Sequence, residues 1–257
     1  MWHHYQAGNG RPIILLHGIG MSQIAWKPVL PLLSRERRVI AFDTAGFGLT
    51  PPLPPGTLPT IPSLVAGLAA SLRGLGIDGP VDIVGNSLGG YMALEAAKVG
   101  LARSVVAISP AGLWRGHGSL SLKYLFGSMR MATRFFPALT QSSMLIPPLR
   151  ELFLAVPLST GSWRMPSEDA IAVAADFGRA KGFRATVENV VPFTGGQNIS
   201  VPITVAFGRS DWLLGASARH REELPAHTRW LQPKGWGHVP MWKDPEGVAR
   251  LILEGSA

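Results

Sequence analysis

Short apolar runs bounded by glycine, proline or charge alternate with stretches of helical period through the first half of the chain. Pro12-Ile13-Ile14-Leu15-Leu16, Arg38-Val39-Ile40-Ala41-Phe42, Val81-Asp82-Ile83-Val84 and Ser104-Val105-Val106-Ala107-Ile108 are rich in β-branched residues and mainly apolar on both faces, as strands inside a parallel sheet are. Helical spacing between them predicts helices at about 21–33, 61–75 and 88–99. The second follows a proline-rich stretch, 51–59, expected to be rigid and at the surface. This alternation predicts an α/β fold, a mostly parallel central sheet with crossover helices on both faces.

After Ala111-Gly112 the alternation stops, and residues 113–195 form a mostly helical stretch rich in Leu, Met, Phe and Trp. Leu122, Leu125, Phe126 and Met129 fall on one stripe of a helix within it. The strand pattern resumes at Pro202-Ile203-Thr204-Val205-Ala206-Phe207 and Thr228-Arg229-Trp230-Leu231, and an amphipathic helix is predicted at about 245–253. The expected organisation is one core built from 1–112 and 196–257, interrupted by a helical cap at 113–195.

A chain of 257 residues that is 46% hydrophobic can bury one continuous core. It has no run of about 18 or more uncharged apolar residues, and Met1-Trp2-His3-His4-Tyr5-Gln6 lacks the basic-then-apolar order of a signal peptide. A cytoplasmic location without membrane insertion is expected. With no cysteine, a disulfide framework, a thiolate nucleophile and a thiolate metal site are all excluded. Histidines and carboxylates do not cluster, so neither a metal nor another cofactor is expected. The net charge of +8 raises the question of nucleic acid, but the basic residues are scattered. The longest cluster, Arg35-Glu36-Arg37-Arg38, is broken by an acid, and a solvated basic surface without nucleic-acid binding is the expectation. Residues 113–150 hold Arg115, Lys123, Arg130, Arg134 and Arg150 without any Asp or Glu, a bias that would favour anionic substrates.

Candidate chemistry concentrates at Gly85-Asn86-Ser87-Leu88-Gly89-Gly90, a GxSxG pattern directly after a strand and opening a helix. A serine on so tight a turn takes a strained backbone conformation, and its neighbours must be small; Gly85 and Gly89 meet that need. A neutral hydroxyl is a poor nucleophile and requires a base. His238, in the loop Gly235-Trp236-Gly237-His238-Val239-Pro240 before the final helix, is the candidate. Asp211 follows the next-to-last strand and would orient that imidazole, whereas its rival Asp244 precedes Pro245 and reads as a helix N-cap. His3, His4, His117, His220 and His227 read as solvated or satisfied residues. An oxyanion needs two donors, for which the Leu88 and Ile19 N–H groups are the candidates. His17 then has a structural role, positioning the Ile19 loop.

Taken together, His17-Gly18-Ile19-Gly20, Asp43-Thr44-Ala45-Gly46-Phe47-Gly48, the Ser87 motif, Gly208-Arg209-Ser210-Asp211 and Gly237-His238 resemble the α/β-hydrolase superfamily across essentially the whole chain. The resemblance implies the α/β-hydrolase fold, a helical cap over Ser87 and a cofactor-free acyl-enzyme mechanism. Ala45 stands where the family usually has an arginine, a departure of local packing. Serine at 87 argues against haloalkane dehalogenase and epoxide hydrolase chemistry, which use aspartate there. Fold membership does not set the substrate. The first expectation is a hydrolase of small to medium carboxylic esters, its acyl pocket drawn from Ile19, Trp212, Val239 and cap residues such as Trp114, Leu125, Met129 and Phe136. A thioesterase or perhydrolase would use the same groups. The alternative is similar to carbon–carbon bond hydrolases of aromatic degradation, in which Asn86 and a cap arginine, Arg184, would hold a dienolate acid. Here their Gly-Pro-Gly continuation after His17 is missing and Val239 replaces their tryptophan. A ligand receptor on the same fold is the non-enzymatic alternative.

Overall fold

Seven strands form one sheet: β1 (His4–Ala7), β2 (Pro12–Leu16), β3 (Arg38–Phe42), β4 (Val81–Asn86), β5 (Ala102–Ile108), β6 (Ile203–Ala206) and β7 (Arg229–Leu231). Their order is β1-β3-β2-β4-β5-β6-β7, with β1 antiparallel to β3 and every other neighbouring pair parallel. The computed structural model describes residues 1–115 and 120–257, with side-chain surroundings from 125 onward in the second stretch. His117 and the side chains of Leu122 and Lys123 lie outside the described residues.

Side-chain period two sorts the strands into two layers. Ile14, Leu16, Ile40 and Phe42 face α2 (Ile61–Gly74) and α3 (Leu88–Lys98) in one cluster. Ile13, Leu15, Val39 and Ala41 face α1 (Leu30–Leu33) and the final helix, residues 245–255, in the other. The α2 helix starts as its sequence dictates: Thr60 Oγ1 accepts the Ser63 N–H at 3.3 Å, and Ile61, Leu64, Val65, Leu68 and Leu72 make its buried stripe. The helix expected over 21–33 is instead a 3-10 turn, Gln23–Trp26, followed by the single turn α1. Pro28 and Pro31 explain the break, since neither can donate to an i–4 carbonyl.

Between β5 and β6 the chain builds α4 (Leu120–Phe135), α5 (Pro137–Leu145), α6 (Pro147–Leu154), α7 (Ser167–Arg179) and α8 (Phe183–Asn189), and after β7 it ends in α9 (Pro245–Gly255). The inserted helices meet the core at Gly46, φ 87°, whose carbonyl accepts the Gly182 N–H at 2.8 Å. A Cβ on Gly46 would stand 2.6 Å from Gly182 Cα, so this contact needs glycine. At the amino-terminal edge of the sheet, Asp82 is wholly buried and accepts from Arg11, Arg37, Arg103 and Ser104. The expectation of a solvated 35–38 cluster therefore fails at Arg37, which is buried and also donates to the Ser256 carbonyl at 3.2 Å. That network closes the end of the sheet opposite the site and locks the C-terminal segment to β4.

Candidate active site

Parallel pairing brings the carboxyl ends of β2, β4, β6 and β7 to one edge, where ligands of open α/β sheets bind. Ser87 sits there between β4 and α3 with φ 55° and ψ −115°, a conformation strained for any residue with a Cβ. Surrounding bonds enforce it: the Ser87 N–H donates to the Ile108 carbonyl at 3.0 Å, and the Ser87 carbonyl accepts from the Tyr91 and Ala111 N–H groups, each at 3.0 Å. A Cβ on Gly85 would fall 2.0 Å from Gly89 O, and one on Gly89 would fall 2.1 Å from Leu16 O. Both glycines are required by close backbone approach, as the motif implied.

His238 and Asp211 are brought together, with His238 Nδ1 3.0 Å from Asp211 Oδ2 and both side chains buried. Asp211 Oδ1 accepts the Leu213 and Leu214 N–H groups at 3.0 and 2.8 Å. Burial pushes the Asp211 carboxyl up, but the His238 charge and the hydrogen bonds from His238 and Leu214 outweigh it and hold the group below the usual carboxylate range. An ionised Asp211 makes Nδ1 the protonated nitrogen and leaves Nε2 free to accept. Ser87 and His238 line one cavity without a direct hydrogen bond. Asp244 takes the capping place expected of it, accepting from the Gly247 N–H at 3.0 Å and from Trp236 Nε1 at 2.8 Å.

His17 is buried, its Nε2 accepting the Thr44 N–H at 3.0 Å and its Nδ1 meeting the Gly18 carbonyl at 2.7 Å. Only the neutral tautomer protonated on Nδ1 satisfies both partners. Burial lowers its pKa, against the opposing pull of Gly18, Asp43 and Asp176. This ring anchors the loop after β2, and a Cβ on Gly18 would stand 3.3 Å from Ser87 Cβ, so the backbone leading to Ile19 runs beside the serine. The Leu88 N–H opens α3 next to it, and among the described residues neither it nor the Ile19 N–H donates to a protein acceptor.

Above Ser87 lies a cavity of about 430 Å³, walled by Ile19, Leu125, Phe126, Met129, Phe177 and Val239 among others. Apart from Ser87 its hydroxyls are already engaged: Ser128 donates to Leu125 O, Thr133 to Met129 O and Thr140 to Phe136 O. Among the described residues no Arg or Lys lines it. The anionic-substrate bias read from 113–150 is thus not expressed there. Arg150 is buried on Met144 O, Ser167 Oγ and Trp163 O, Arg130 donates to Phe177 O, and Arg115 pairs with Glu222.

Trp212 does not line the cavity and is 60% exposed; the turn that gives Asp211 its two N–H donors points Leu213 inward in its place. Phe136 is exposed and Trp114 packs against the core instead. Arg184 also lies away from the cavity, its side chain 86% exposed and paired with Glu188 at 2.7 Å. Asn86 uses both amide hydrogens within the protein, on the Ile108 carbonyl at 3.1 Å and the His238 carbonyl at 2.8 Å. Sequence reading missed that tie, and the only signal for it was an amide beside the serine. Among the described residues no three His, Cys, Asp or Glu side chains converge as a metal cluster, and no helix is long and apolar enough to cross a membrane.

Residues 13–251 match a family described as the alpha/beta hydrolase family. The chain is 46% identical over 96 residues to a 2-hydroxy-6-oxo-2,4-heptadienoate hydrolase of Pseudomonas putida, covering 36% of this chain and 34% of that protein. That match thus spans about a third of the relative's length. Over 265 residues it is 29% identical to a pimeloyl-[acyl-carrier protein] methyl ester esterase of Methylococcus capsulatus, covering 96% and 95% of the two chains. Its fold superposes on a meta-cleavage product hydrolase from Pseudomonas fluorescens with a TM-score of 0.73, at 23% identity and 98% and 92% coverage.

Proposed function

The chain belongs to the alpha/beta hydrolase family, and from that membership we propose that it is a cytoplasmic serine hydrolase of small to medium, uncharged carboxylic esters. One observation carries the reading: a strained Ser87 and an Asp211-paired His238 share an apolar cavity with no Arg or Lys among its described lining residues. In the reaction, Ser87 Oγ attacks the ester carbonyl while His238 Nε2 takes its proton. Asp211 holds the Nδ1–H and stabilises the imidazolium. The Leu88 and Ile19 N–H groups receive the oxyanion. The tetrahedral intermediate collapses, His238 returns the proton to the departing alkoxide, and an acyl-enzyme remains. Water, deprotonated by His238, then attacks the acyl carbonyl and releases the carboxylic acid and free Ser87. No cofactor takes part. Residues 113–195 serve as a cap over the core, 1–112 and 196–257, and Val239 with the cap helices holds the acyl group; Trp212 has no part in it.

A second reading, carbon–carbon bond hydrolysis, is favoured by the identity to the Pseudomonas putida hydrolase. Against it stand the outward position of Arg184 and the engagement of both Asn86 Nδ2 hydrogens within the protein, which leave a carboxylate substrate without Arg184 or an Asn86 donor to hold it.

The experiment is hydrolysis of p-nitrophenyl esters of increasing acyl length by wild type and Ser87→Ala, with a fluorophosphonate label read by intact mass. Turnover and a single label, both lost in Ser87→Ala, are expected. Labelling without turnover of any ester would favour the second reading or a ligand receptor. Absence of labelling in the wild type would remove Ser87 from its role.

A further inference from the structure

Helices α4, α5 and α6 present large apolar side chains that the rest of the described residues leave uncovered: Met131, Phe135, Leu139, Leu145, Leu149 and Leu152 are all exposed. The connectors add two more, since the single residues joining these helices, Phe136 and Ile146, are exposed as well. Inward, α5 and α6 bury only Ser143, Met144, Arg150 and Leu154. An amphipathic helix of a solvated protein has the opposite outer face, polar and charged. Single exposed apolar residues need no explanation, but a run of them over three successive helices does.

Two further features say what such a face meets. Its charges are cationic and sit beside exposed aromatics: the Arg134 guanidinium lies 6.0 Å from the Phe135 ring and that of Arg164 lies 4.6 Å from the Trp163 ring. No Asp or Glu occurs from 113 to 150, and the first one after it, Glu151, is engaged by the Gly161 and Trp163 N–H groups. The face is also continuous with the cavity, because Leu152, 72% exposed, and Phe153 both belong to the cavity wall.

We propose that the outer face of α4–α6 docks on an anionic lipid surface, and that acyl substrate enters the cavity from that surface past Leu152 and Phe153. Apolar side chains enter the acyl boundary while Arg134 and Arg164 extend to the headgroups, the arrangement of interfacial helices lying on a bilayer. A second copy of the chain fits less well. A two-fold pairing sets each patch against its own counterpart. Arg134 and Arg164 would then be brought together without an acidic partner from 113–150. The substrate part of this inference rests on the ester-hydrolase reading; the docking part does not.

The test is co-sedimentation of Ser87→Ala protein with phosphatidylglycerol vesicles and with phosphatidylcholine vesicles. Expected is binding to phosphatidylglycerol that is about tenfold weaker on phosphatidylcholine and falls as salt rises. A Phe135→Ser, Leu139→Ser, Leu145→Ser variant should keep the wild-type melting temperature and lose vesicle binding by about tenfold or more. Binding equal in the variant and its parent would overturn the proposal, as would no binding to phosphatidylglycerol. A wild-type dimer in light scattering that the variant converts to a monomer would assign the face to a second copy instead. Vesicle binding is read on a protein that cannot turn over, so loss of the ester-hydrolase reading and loss of docking are separate results.

Discussion

Asn86 Nδ2 donates to the carbonyl of His238 at 2.8 Å, joining the residue before Ser87 to the backbone of His238, 152 positions away. Its other hydrogen goes to Ile108 O, so one side chain sets the distance between the β4 turn, β5 and the loop before α9. The carbon–carbon hydrolase alternative casts Asn86 as a substrate ligand, whereas the structure makes it a brace.

Asn86→Ala should therefore lower kcat by about tenfold to hundredfold, the scale of small misplacements of a reacting group, with little change in KM. It should also cost about 1–3 kcal/mol of stability, because the buried His238 carbonyl loses its donor while the Ile108 carbonyl keeps only the Ser87 N–H. Ester kinetics and denaturant melts together check this; a variant changed in KM alone would return Asn86 to the substrate.

Buried Asp211 and half-buried Asp176 should respond to pH in opposite directions. Asp211 has a folded pKa below its ordinary value, so its stabilisation is present above the unfolded pKa and is lost as pH falls through the folded one. The advantage of wild type over Asp211→Asn should shrink below about pH 4. Asp176 is raised, chiefly by burial and against the hydrogen bond from Ser22, so its protonated form favours folding and that contribution fades as pH rises through the folded pKa. Asp176→Asn should gain on wild type as pH rises above about 4, the ordinary carboxylate range. Melting temperatures of the three proteins, followed both below and above about pH 4, measure both slopes.

Cavity walls should set acyl length. Met129→Trp adds bulk to the helical wall of the cavity, and should shift preference to shorter esters while changing kcat/KM for the acetyl ester little. Each methylene excluded should cost about 0.8 kcal/mol, close to fourfold in kcat/KM. An unchanged length profile would show that the acyl chain lies elsewhere.

Two substitutions should do almost nothing. Arg184→Ala and Trp212→Ala remove exposed side chains outside the cavity, and ester turnover should stay within about twofold of wild type. A large loss in Arg184→Ala confined to carboxylate-bearing substrates would instead support carbon–carbon bond hydrolysis.

The sheet, the Ser87 turn and the placing of Asp211 and His238 at the same edge were legible because each rests on local rules: short β-branched runs, glycines forced by close approach, and strand ends that meet on one edge. What escaped depended on orientation. Trp212 and Leu213 are neighbours of similar apolar character, and only the two N–H bonds to Asp211 decide which faces inward. Arg37 reads as one of several surface cations until Asp82, in a strand that is otherwise apolar, is seen to take it inside. The break in the 21–33 helix was announced by Pro28 and Pro31, but apolar spacing outweighed them in the reading.

The inserted segment does more than roof the cavity. The Gly237 N–H donates to Ser159 Oγ at 3.0 Å and the Val239 N–H to Leu158 O at 2.8 Å, so the backbone on either side of His238 hangs from residues just after α6. In the proposed reaction, specificity and proton transfer thus share a mounting. A helical insertion borrowed from another member of the family would bring its own acyl pocket but would also reset where the base stands, so the two properties of this scaffold are not separable modules.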